Sequence, residues 1–344
     1  MSKTALVTGG SGYFGSVIVR HLLKDNWNVR IFDIIEASDR PEDTEFIKGD
    51  IRDFDSVKRA CLDIDVVHHN VAQVPLAKDR KLFESVNKRG TENILKASLD
   101  SKVKKLIYTS TSAVYGIPSK NPVDETVEPR PMEAYGAAKL AGERFCAQFI
   151  DKGLDISIIR PRTIIGPGRL GIFYIFFDWI FQGRPVYVLG TGENLYQFVH
   201  EDDLADACLK AAGRKGPGVY NIGAKEFSTM RATIQSVIDH AGTGSKIREL
   251  PFGPTVAIMK LTSLLNLSPL GAYHSLMYGR SMYFDLTKPE EELGYTPKWS
   301  NFDMFREAYD WFVENRENIR RQKEASHHRS FLKEGALKIL KWIP

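Results

Sequence analysis

The chain has 344 residues, of which 43% are hydrophobic and 26% are charged, and its formal net charge is +4. This composition predicts one large or two moderate globular domains, and so small a charge argues against a nucleic-acid partner. Three cysteines without a CxxC motif and eight histidines without HxxxH spacing argue against disulfides and a metal site. We expect a cytoplasmic protein, since the opening "MSKTALVTGG" lacks a signal-peptide pattern and no window reaches the ~18 apolar residues of a membrane span.

Apolar segments alternate with segments of helical period through the first half of the chain. The predicted helices lie roughly at 13–25, 55–62, 82–100 and 134–152. The predicted strands are "TALVTG" (4–9), "NVRIFD" (28–33), "TEFIKG" (44–49), "DVVHHN" (65–70), "KKLIYTS" (104–110) and "DISIIRP" (155–161). Continuous apolar strands separated by helices predict an α/β fold, a Rossmann-type doubly wound parallel sheet with helices on both faces.

A glycine-rich turn, "VTGGSGYFGS", joins the first predicted strand to the first helix. Glycine lets the backbone approach a pyrophosphate closely, and the free N–H groups of the helix start hold its charge. Asp33 ends the second strand about 20 residues further on, where a carboxylate binds a ribose 2′-hydroxyl and repels a 2′-phosphate. The pattern therefore predicts NAD rather than NADP. The expected cofactor-binding residues of the turn are Gly9, Gly12, Tyr13, Phe14 and Gly15.

The segment "KGDIRD" places Asp50 and Ile51 after the third predicted strand. A carboxylate there can accept a hydrogen bond from an adenine amino group while Ile51 covers the ring. Taken alone, Asp50 is also typical of a helix N-cap.

Hydroxyl side chains follow the fifth predicted strand in "YTSTSAVYG", and "AYGAAK" places Tyr135 and Lys139 four residues apart on one helix face. A tyrosine with a pKa near ~10 needs a shift of about 3 units to act as a base near neutral pH. A nearby ammonium and an oxidised nicotinamide both favour the phenolate. Tyrosine–lysine pairs also occur on solvated helices, so the pair alone does not identify an active site.

The motifs "TGGSGYFG", "GDIRD", "VNKRGTENIL", "TSTSAVYG", "YGAAK" and "RPRTIIGPG", in this order, resemble the extended short-chain dehydrogenase/reductase superfamily. Specifically, they resemble its NAD-dependent epimerase/dehydratase branch, sugar 4-epimerases in particular, over about residues 3–320. The resemblance implies that Tyr135 is the catalytic base, Lys139 its partner and Thr111 the hydroxyl that relays the substrate proton. It also implies cofactor-contacting positions at Ala72, Asn87, Ser110 and Pro161.

The residues beside the relay hydroxyl narrow the reaction. Ser112 and Ala113 stand where related dehydratases and decarboxylating members carry carboxylates, which leaves an epimerase or a simple dehydrogenase. Tyr196 and Thr163 stand where nucleotide-sugar enzymes of the branch usually carry arginine and asparagine. The candidate substrate-binding residues are Ser112, Thr163, Arg169, Tyr196 and Arg280.

Three functions stay open on this evidence. The first is an NAD-dependent sugar epimerase, with C4 as the expected position, acting on a nucleotide- or lipid-diphosphate-linked sugar. The alternative is a dehydrogenase of the 3β-hydroxysteroid or 4-reductase type that acts on a hydrophobic alcohol. The third hypothesis is a nucleotide-sensing regulator with the same fold. The presence of Thr111, Tyr135 and Lys139 argues against it, because a sensor does not need these three residues.

Composition changes after residue 161, where Gly, Pro and aromatic residues become frequent. We expect a Rossmann domain at 1–162 with returns at about 197–224, and a smaller discontinuous C-terminal substrate lobe at 163–196 and 225–300. A closing helix is expected at 301–325. The tail 326–344 interleaves lysines with apolar residues, a pattern typical of a membrane-surface helix but also of a docked or frayed end. The family resemblance implies a homodimer through the helices at 82–100 and 134–152.

Overall fold

A computed structural model describes residues 3–73, 80–169, 172–264 and 277–321. Its strands are β1 (Thr4–Thr8), β2 (Asn28–Asp33), β3 (Glu45–Lys48), β4 (Val66–His69), β5 (Lys105–Thr109), β6 (Ile156–Pro161), β7 (Thr163–Ile165), β8 (Val186–Leu189), β9 (Leu195–Tyr196), β10 (Phe198–His200), β11 (Gly218–Ile222), β12 (Ser228–Thr229) and β13 (Ile247–Leu250). The central sheet has seven parallel strands in the order β11-β6-β5-β4-β1-β2-β3, which confirms the predicted fold class.

Helices connect these strands across both faces of the sheet. They are α1 (Tyr13–Lys24), α2 (Phe54–Ala60), α3 (Arg80–Leu82), a π-helical segment (Phe83–Arg89), α4 (Gly90–Asp100), a 3₁₀ turn (Ser112–Tyr115), α5 (Ala134–Ile150), α6 (Ile172–Phe181), α7 (Glu201–Gly213), α8 (Met230–Ala241), α9 (Phe252–Leu264), α10 (Thr287–Leu293) and α11 (Asn301–Arg321).

The side chains of β1 point alternately to the two faces of the sheet, which shows why its three middle residues are all apolar. Val7 packs into a cluster with α1 and α7 on one face, whereas Leu6 packs with α2, α4 and α5 on the other. Successive strand residues point to opposite faces, so a strand covered on both sides needs apolar residues at every position. The same pattern in the other central strands holds the sheet between two helical layers and leaves its strand ends for the site.

The second half of the chain builds short two-stranded sheets and one more apolar cluster. β7 pairs with β10, β8 with β13 and β9 with β12, while β11 joins the central sheet beside β6. The very apolar α6 packs against α8 and α11, and its Phe177 and Ile180 are almost wholly buried. The apolar side chains of α6 therefore belong to the protein interior.

No helix among the described residues is both long and apolar enough to cross a membrane. The predicted amphipathic tail at 326–344, and the last residues of the predicted closing helix, lie outside the described residues.

Candidate active site

A cleft of about 1330 Å³ opens at the carboxyl ends of β1, β2, β4, β5 and β6. Ligands of open parallel sheets bind there, where the strand order reverses between β1 and β4. The cleft exceeds the usual 300–1,000 Å³ of a small-molecule pocket, so two ligands can share it. The predicted site residues that line it are Gly9, Gly12, Tyr13, Phe14, Gly15, Asp33, Asp50, Ile51, Ala72, Ser110, Thr111, Ser112, Tyr135, Lys139, Pro161, Thr163 and Arg169.

The glycine-rich turn is too tight for side chains at two of its positions. Gly9 has a positive φ of 73°, and a Cβ there would lie 3.0 Å from the backbone nitrogen of Val71. A Cβ at Gly15 would overlap the carbonyl oxygen of Gly9. The turn thus brings β1, the loop after β4 and the start of α1 into direct backbone contact. Gly12, whose φ is −77°, is the N-cap of α1 and also lines the cleft.

Asp33 is bonded to the glycine-rich turn as well as lining the cleft. Its Oδ2 accepts a hydrogen bond from the backbone nitrogen of Ser11 at 3.1 Å, and its Oδ1 accepts one from Ile34 at 2.7 Å. Burial raises the pKa of Asp33, while these N–H groups act in the opposite direction. The carboxylate therefore fixes the turn and lines the cleft where a ribose would lie.

Asp50 forms a bidentate ion pair with Arg52, with distances of 2.9 and 3.0 Å from Nε to the two carboxylate oxygens. Hydrogen bonding to Arg52 lowers the pKa of Asp50. Both side chains line the cleft, although Arg52 was not predicted as a site residue. Two opposite charges two residues apart after a strand are common on solvent-exposed surfaces, so the sequence alone does not identify such a pair as part of a site.

Asn87 does not belong to the described residues that line the cleft. Its amide instead clamps the loop after β4, since Oδ1 accepts from the backbone nitrogen of Gln73 at 2.6 Å and Nδ2 donates to its carbonyl at 2.9 Å. Asn87 lies in the π-helical segment, a local irregularity often found at functional sites. Asn87 thus contributes to the cleft indirectly, through the loop that carries Ala72, rather than by the direct cofactor contact that the sequence predicted.

The start of α5 is held against the hydroxyl segment after β5. The Glu133 carboxylate caps α5 by accepting from the backbone nitrogens of Tyr135 at 2.7 Å and Gly136 at 2.6 Å. A Cβ at Gly136 would lie 2.5 Å from the carbonyl oxygen of Ala113. This contact between helix and turn brings Tyr135 to the same wall of the cleft as Thr111.

Lys139 is buried and lies one turn after Tyr135. Its Nζ is 4.2 Å from the centre of the Tyr108 ring, and the side chain is 2% exposed. Burial lowers the pKa of Lys139 to about 8, against opposing contributions from Cys146 and Glu143. A lysine near its own pKa at neutral pH can both hold and release a proton.

Replacing Lys139 with Met is expected to stabilise the NAD-free protein at pH 7 by about 3 kcal/mol. The pKa of Lys139 in the folded state, about 8, lies below the usual value of 10.5. Between pH 8 and pH 10.5 this lysine therefore carries a proton in the unfolded chain that it lacks in the folded chain. Wild-type stability therefore rises with pH through this window, and the difference between the variants should shrink from about pH 8 upward. Urea unfolding across this range measures it, with the exposed Lys58→Met as control; a constant difference would contradict the prediction.

Beneath the cleft, a buried ionic network is hydrogen-bonded to Ser110, one of the hydroxyl residues that follow β5. Ser110 donates to Oε1 of Glu143 at 2.5 Å, and Glu143 forms a bidentate pair with Arg160. Arg160 also donates to the Tyr115 hydroxyl at 2.7 Å. Ser110 lines the cleft as predicted, but its proton is directed into the network.

Two predicted substrate residues do not reach the cleft in the described structure. Tyr196 is fully buried, and its hydroxyl is 3.1 Å from the Thr163 hydroxyl, while its ring packs on Phe198 at 4.8 Å. The Arg280 guanidinium lies 5.0 Å from the centre of the Phe252 ring instead. These expectations placed both side chains in the substrate site by position in the chain, and packing directs them elsewhere.

Two buried, charged residues that line the cleft were also not predicted from the sequence. Arg162 follows β6 directly, and Glu201 begins α7. Both are at most 3% exposed, and burial raises the pKa of Glu201 to about 7. A charged residue between apolar strand residues, as in "IIRPRTII", was the available signal for Arg162.

Residues 5–223 match the family model described as the NAD-dependent epimerase/dehydratase family. The chain belongs to this family. It is accordingly an enzyme that uses NAD. The glycine-rich turn, which side chains would obstruct, and the carboxylate of Asp33 both fit the pyrophosphate and ribose of that cofactor.

The relatives of this family member include an uncharacterized protein, a sterol dehydrogenase and a sugar epimerase. It is 51% identical to the uncharacterized protein y4nG of Sinorhizobium fredii, covering 98% of this chain and 85% of that one. It is 26% identical to the mouse sterol-4-alpha-carboxylate 3-dehydrogenase, decarboxylating, covering 94% and 93%. The crystal structure of the Thermotoga maritima UDP-glucose 4-epimerase with UDP-glucose superposes with a TM-score of 0.78 at 25% identity, covering 91% and 99%.

Proposed function

We propose that the chain is an NAD-dependent epimerase that acts at C4 of a nucleotide- or lipid-diphosphate-linked sugar. The observation that carries the proposal is that Thr111, Tyr135 and Lys139 line the same cleft as the glycine-rich turn and Asp33. The cleft-lining carboxylates lie outside the Thr109–Ser112 segment and outside α5. Elimination of water needs an acid and a base beside the substrate, so this distribution supports epimerisation over dehydration.

Each of the three residues has a distinct role in this proposal. Tyr135 removes the proton of the substrate alcohol, directly or through the Thr111 hydroxyl, and later returns it. The buried Lys139 stabilises the phenolate of Tyr135 by its charge and holds the cofactor ribose. Bound NAD supplies a reversible hydride acceptor, and returning the hydride to the opposite face of the sugar inverts the carbon.

Absorbance near the NADH band tests this function. Purified protein with NAD should convert UDP-glucose to UDP-galactose without a net rise in that band. A stoichiometric rise with product would contradict an epimerase and support a dehydrogenase. Binding of NAD without any turnover over a panel of sugars and hydroxysteroids would support the regulator.

A dehydrogenase of a hydrophobic alcohol is the second candidate. The aromatic Tyr196, buried beside Thr163, occupies a position where nucleotide-sugar enzymes of the family usually carry an arginine. The similarity to the mouse sterol dehydrogenase over nearly the whole chain supports the same candidate. A homodimer, a cytoplasmic location and membrane contact through the tail remain predictions from the sequence.

Cofactor selectivity should depend on Asp33. Replacing Asp33 with Asn removes the charge that repels a 2′-phosphate and weakens the hydrogen bond to the ribose. We expect NAD affinity to fall about tenfold and the preference for NAD over NADP to shrink, since a charged hydrogen bond contributes about 1.5–3 kcal/mol. Titration calorimetry with both nucleotides measures this, with the exposed Asp43→Asn as control. An unchanged ratio of the two affinities would count against the assigned role.

A further inference from the structure

Two arginines bracket Pro161 at the end of β6, and the structure treats them differently. Arg160 is 6% exposed and is neutralised by the Glu143 carboxylate. Arg162 is 1% exposed, lines the cleft and has no carboxylate partner among the described residues. A buried charge without a counter-charge is costly, so the contrast requires an explanation.

The contacts of Arg162 are all uncharged. Nε donates to the carbonyl of Gln197 at 3.1 Å, and Nη1 donates to the hydroxyl of Ser112 at 3.0 Å. The rings of Tyr196 and Phe284 lie 4.6 and 5.7 Å from its Cζ. Nη2 is buried and has no hydrogen-bond partner in the described structure. The N–H groups of Nη2 thus have no acceptor among the described residues.

Two further cations, Arg169 and Lys139, line the cleft together with Arg162. Arg169 lies six residues after Thr163 and also lines the cleft, and its buried Nη1 has no hydrogen-bond partner in the described part of the chain. Lys139 lines the same cleft. Glu201 is the nearby cleft-lining carboxylate, and it is paired with Arg20 at 3.2 Å. This end of the cleft therefore suits an anion.

The hydrogen bond between Arg162 and Ser112 relates the guanidinium to the proposed reaction site. Ser112 accepts this hydrogen bond and directly follows Thr111, the proposed relay hydroxyl, and all three residues line the cleft. We therefore expect an anion on Arg162 to belong to the part of the substrate that carries the reacting alcohol, rather than to its nucleotide. A planar guanidinium pairs best with a carboxylate, to which it can offer two N–H groups.

We propose that Arg162 binds a carboxylate that the substrate carries close to its reacting alcohol, and that the enzyme is selective for acidic substrates such as uronates. This inference rests on the proposed function, because it assumes that the alcohol is oxidised beside Thr111. It identifies Arg162 as a substrate-binding residue, with Ser112 fixing the orientation of its side chain.

A matched pair of ligands tests the proposal. UDP-glucuronate and UDP-glucose differ only in the C6 carboxylate, and calorimetry on the NAD-loaded protein gives both affinities. The wild type should bind UDP-glucuronate about tenfold or more tightly than UDP-glucose, as expected for a charge-assisted bidentate contact. Arg162→Met should remove that preference, with a much larger loss of affinity for UDP-glucuronate than for UDP-glucose, and Arg162→Lys should restore part of it.

Several results would overturn the proposal. These are equal binding of the two sugars by the wild type, a preference that survives in Arg162→Met, and an equal loss for both sugars, which would assign Arg162 to the diphosphate. If neither sugar binds, the sugar-epimerase proposal fails by itself. The carboxylate is then tested with a 3-hydroxysterol with and without a 4-carboxylate, and equal binding or none overturns the inference.

Thermal unfolding separates this role from a structural one. Arg160→Met leaves Glu143 buried without its partner, so it should lower the melting temperature and leave ligand preference unchanged. Arg162→Met removes an uncompensated charge and should leave the melting temperature of the ligand-free protein unchanged or higher. A fall as large as that of Arg160→Met would show a structural role and overturn the proposal.

Discussion

Replacing Tyr135 with Phe is expected to lower turnover by about 10²–10⁴-fold while leaving NAD affinity unchanged. The substitution removes only the hydroxyl that takes the proton. The ring, whose centre is 6.4 Å from that of Phe83, can stay in place. The Glu133 cap also remains, because it accepts from backbone nitrogens rather than from the side chain. Steady-state rates and calorimetric NAD binding together measure the effect.

Tyr220→Phe provides a matched control for this experiment. Tyr220 lies in β11, and its hydroxyl donates to Glu292 at 2.9 Å. Tyr220 is not among the described residues that line the cleft. The same chemical change there should alter stability at most and leave the rate unchanged. A Tyr135→Phe enzyme with full activity, or one that has lost NAD binding, would contradict the assigned role.

Replacing Gly15 with Ala is expected to abolish NAD binding and to destabilise the fold by about 1–3 kcal/mol. The added methyl would overlap the carbonyl oxygen of Gly9, so the turn and α1 must move apart. Gly9 also contacts the loop after β4, and the displacement therefore changes the surface that approaches the pyrophosphate. Calorimetric NAD titration and urea unfolding measure the two effects.

Gly213→Ala in α7 tests whether the effect depends on the turn. A Cβ at Gly213 meets no atom within 4 Å, so this substitution should be neutral or slightly stabilising. Normal NAD affinity in Gly15→Ala would show that the turn can rearrange without affecting the cofactor. The proposed pyrophosphate site would then be wrong.

The central sheet could be predicted because its strands are short, continuously apolar and separated by helical segments. Each of the six predicted strands forms, and the seventh, β11, corresponds to the apolar "GVYNIG". The glycine-rich turn and Asp33 were equally readable, since their function depends on backbone geometry at fixed offsets. Close approaches such as that of Gly136 to Ala113 could not be predicted, because they depend on how distant elements pack.

Long side chains account for most of what the sequence could not resolve. Position in the chain placed Tyr196 and Arg280 in the substrate site, but both pack against aromatic neighbours and neither is among the described residues that line the cleft. The charge of Arg162 between apolar residues was visible in the sequence, but its partners, the Gln197 carbonyl and the Ser112 hydroxyl, come from distant segments. Rotamer choice and tertiary packing decide such cases.

A crystal structure of the protein with bound NAD tests the central claim most directly. We expect a pyrophosphate at the start of α1, a ribose on Asp33 and a nicotinamide ring flanked by Thr111, Tyr135 and Lys139. A nicotinamide bound away from those three side chains, or a cofactor outside this cleft, would contradict it.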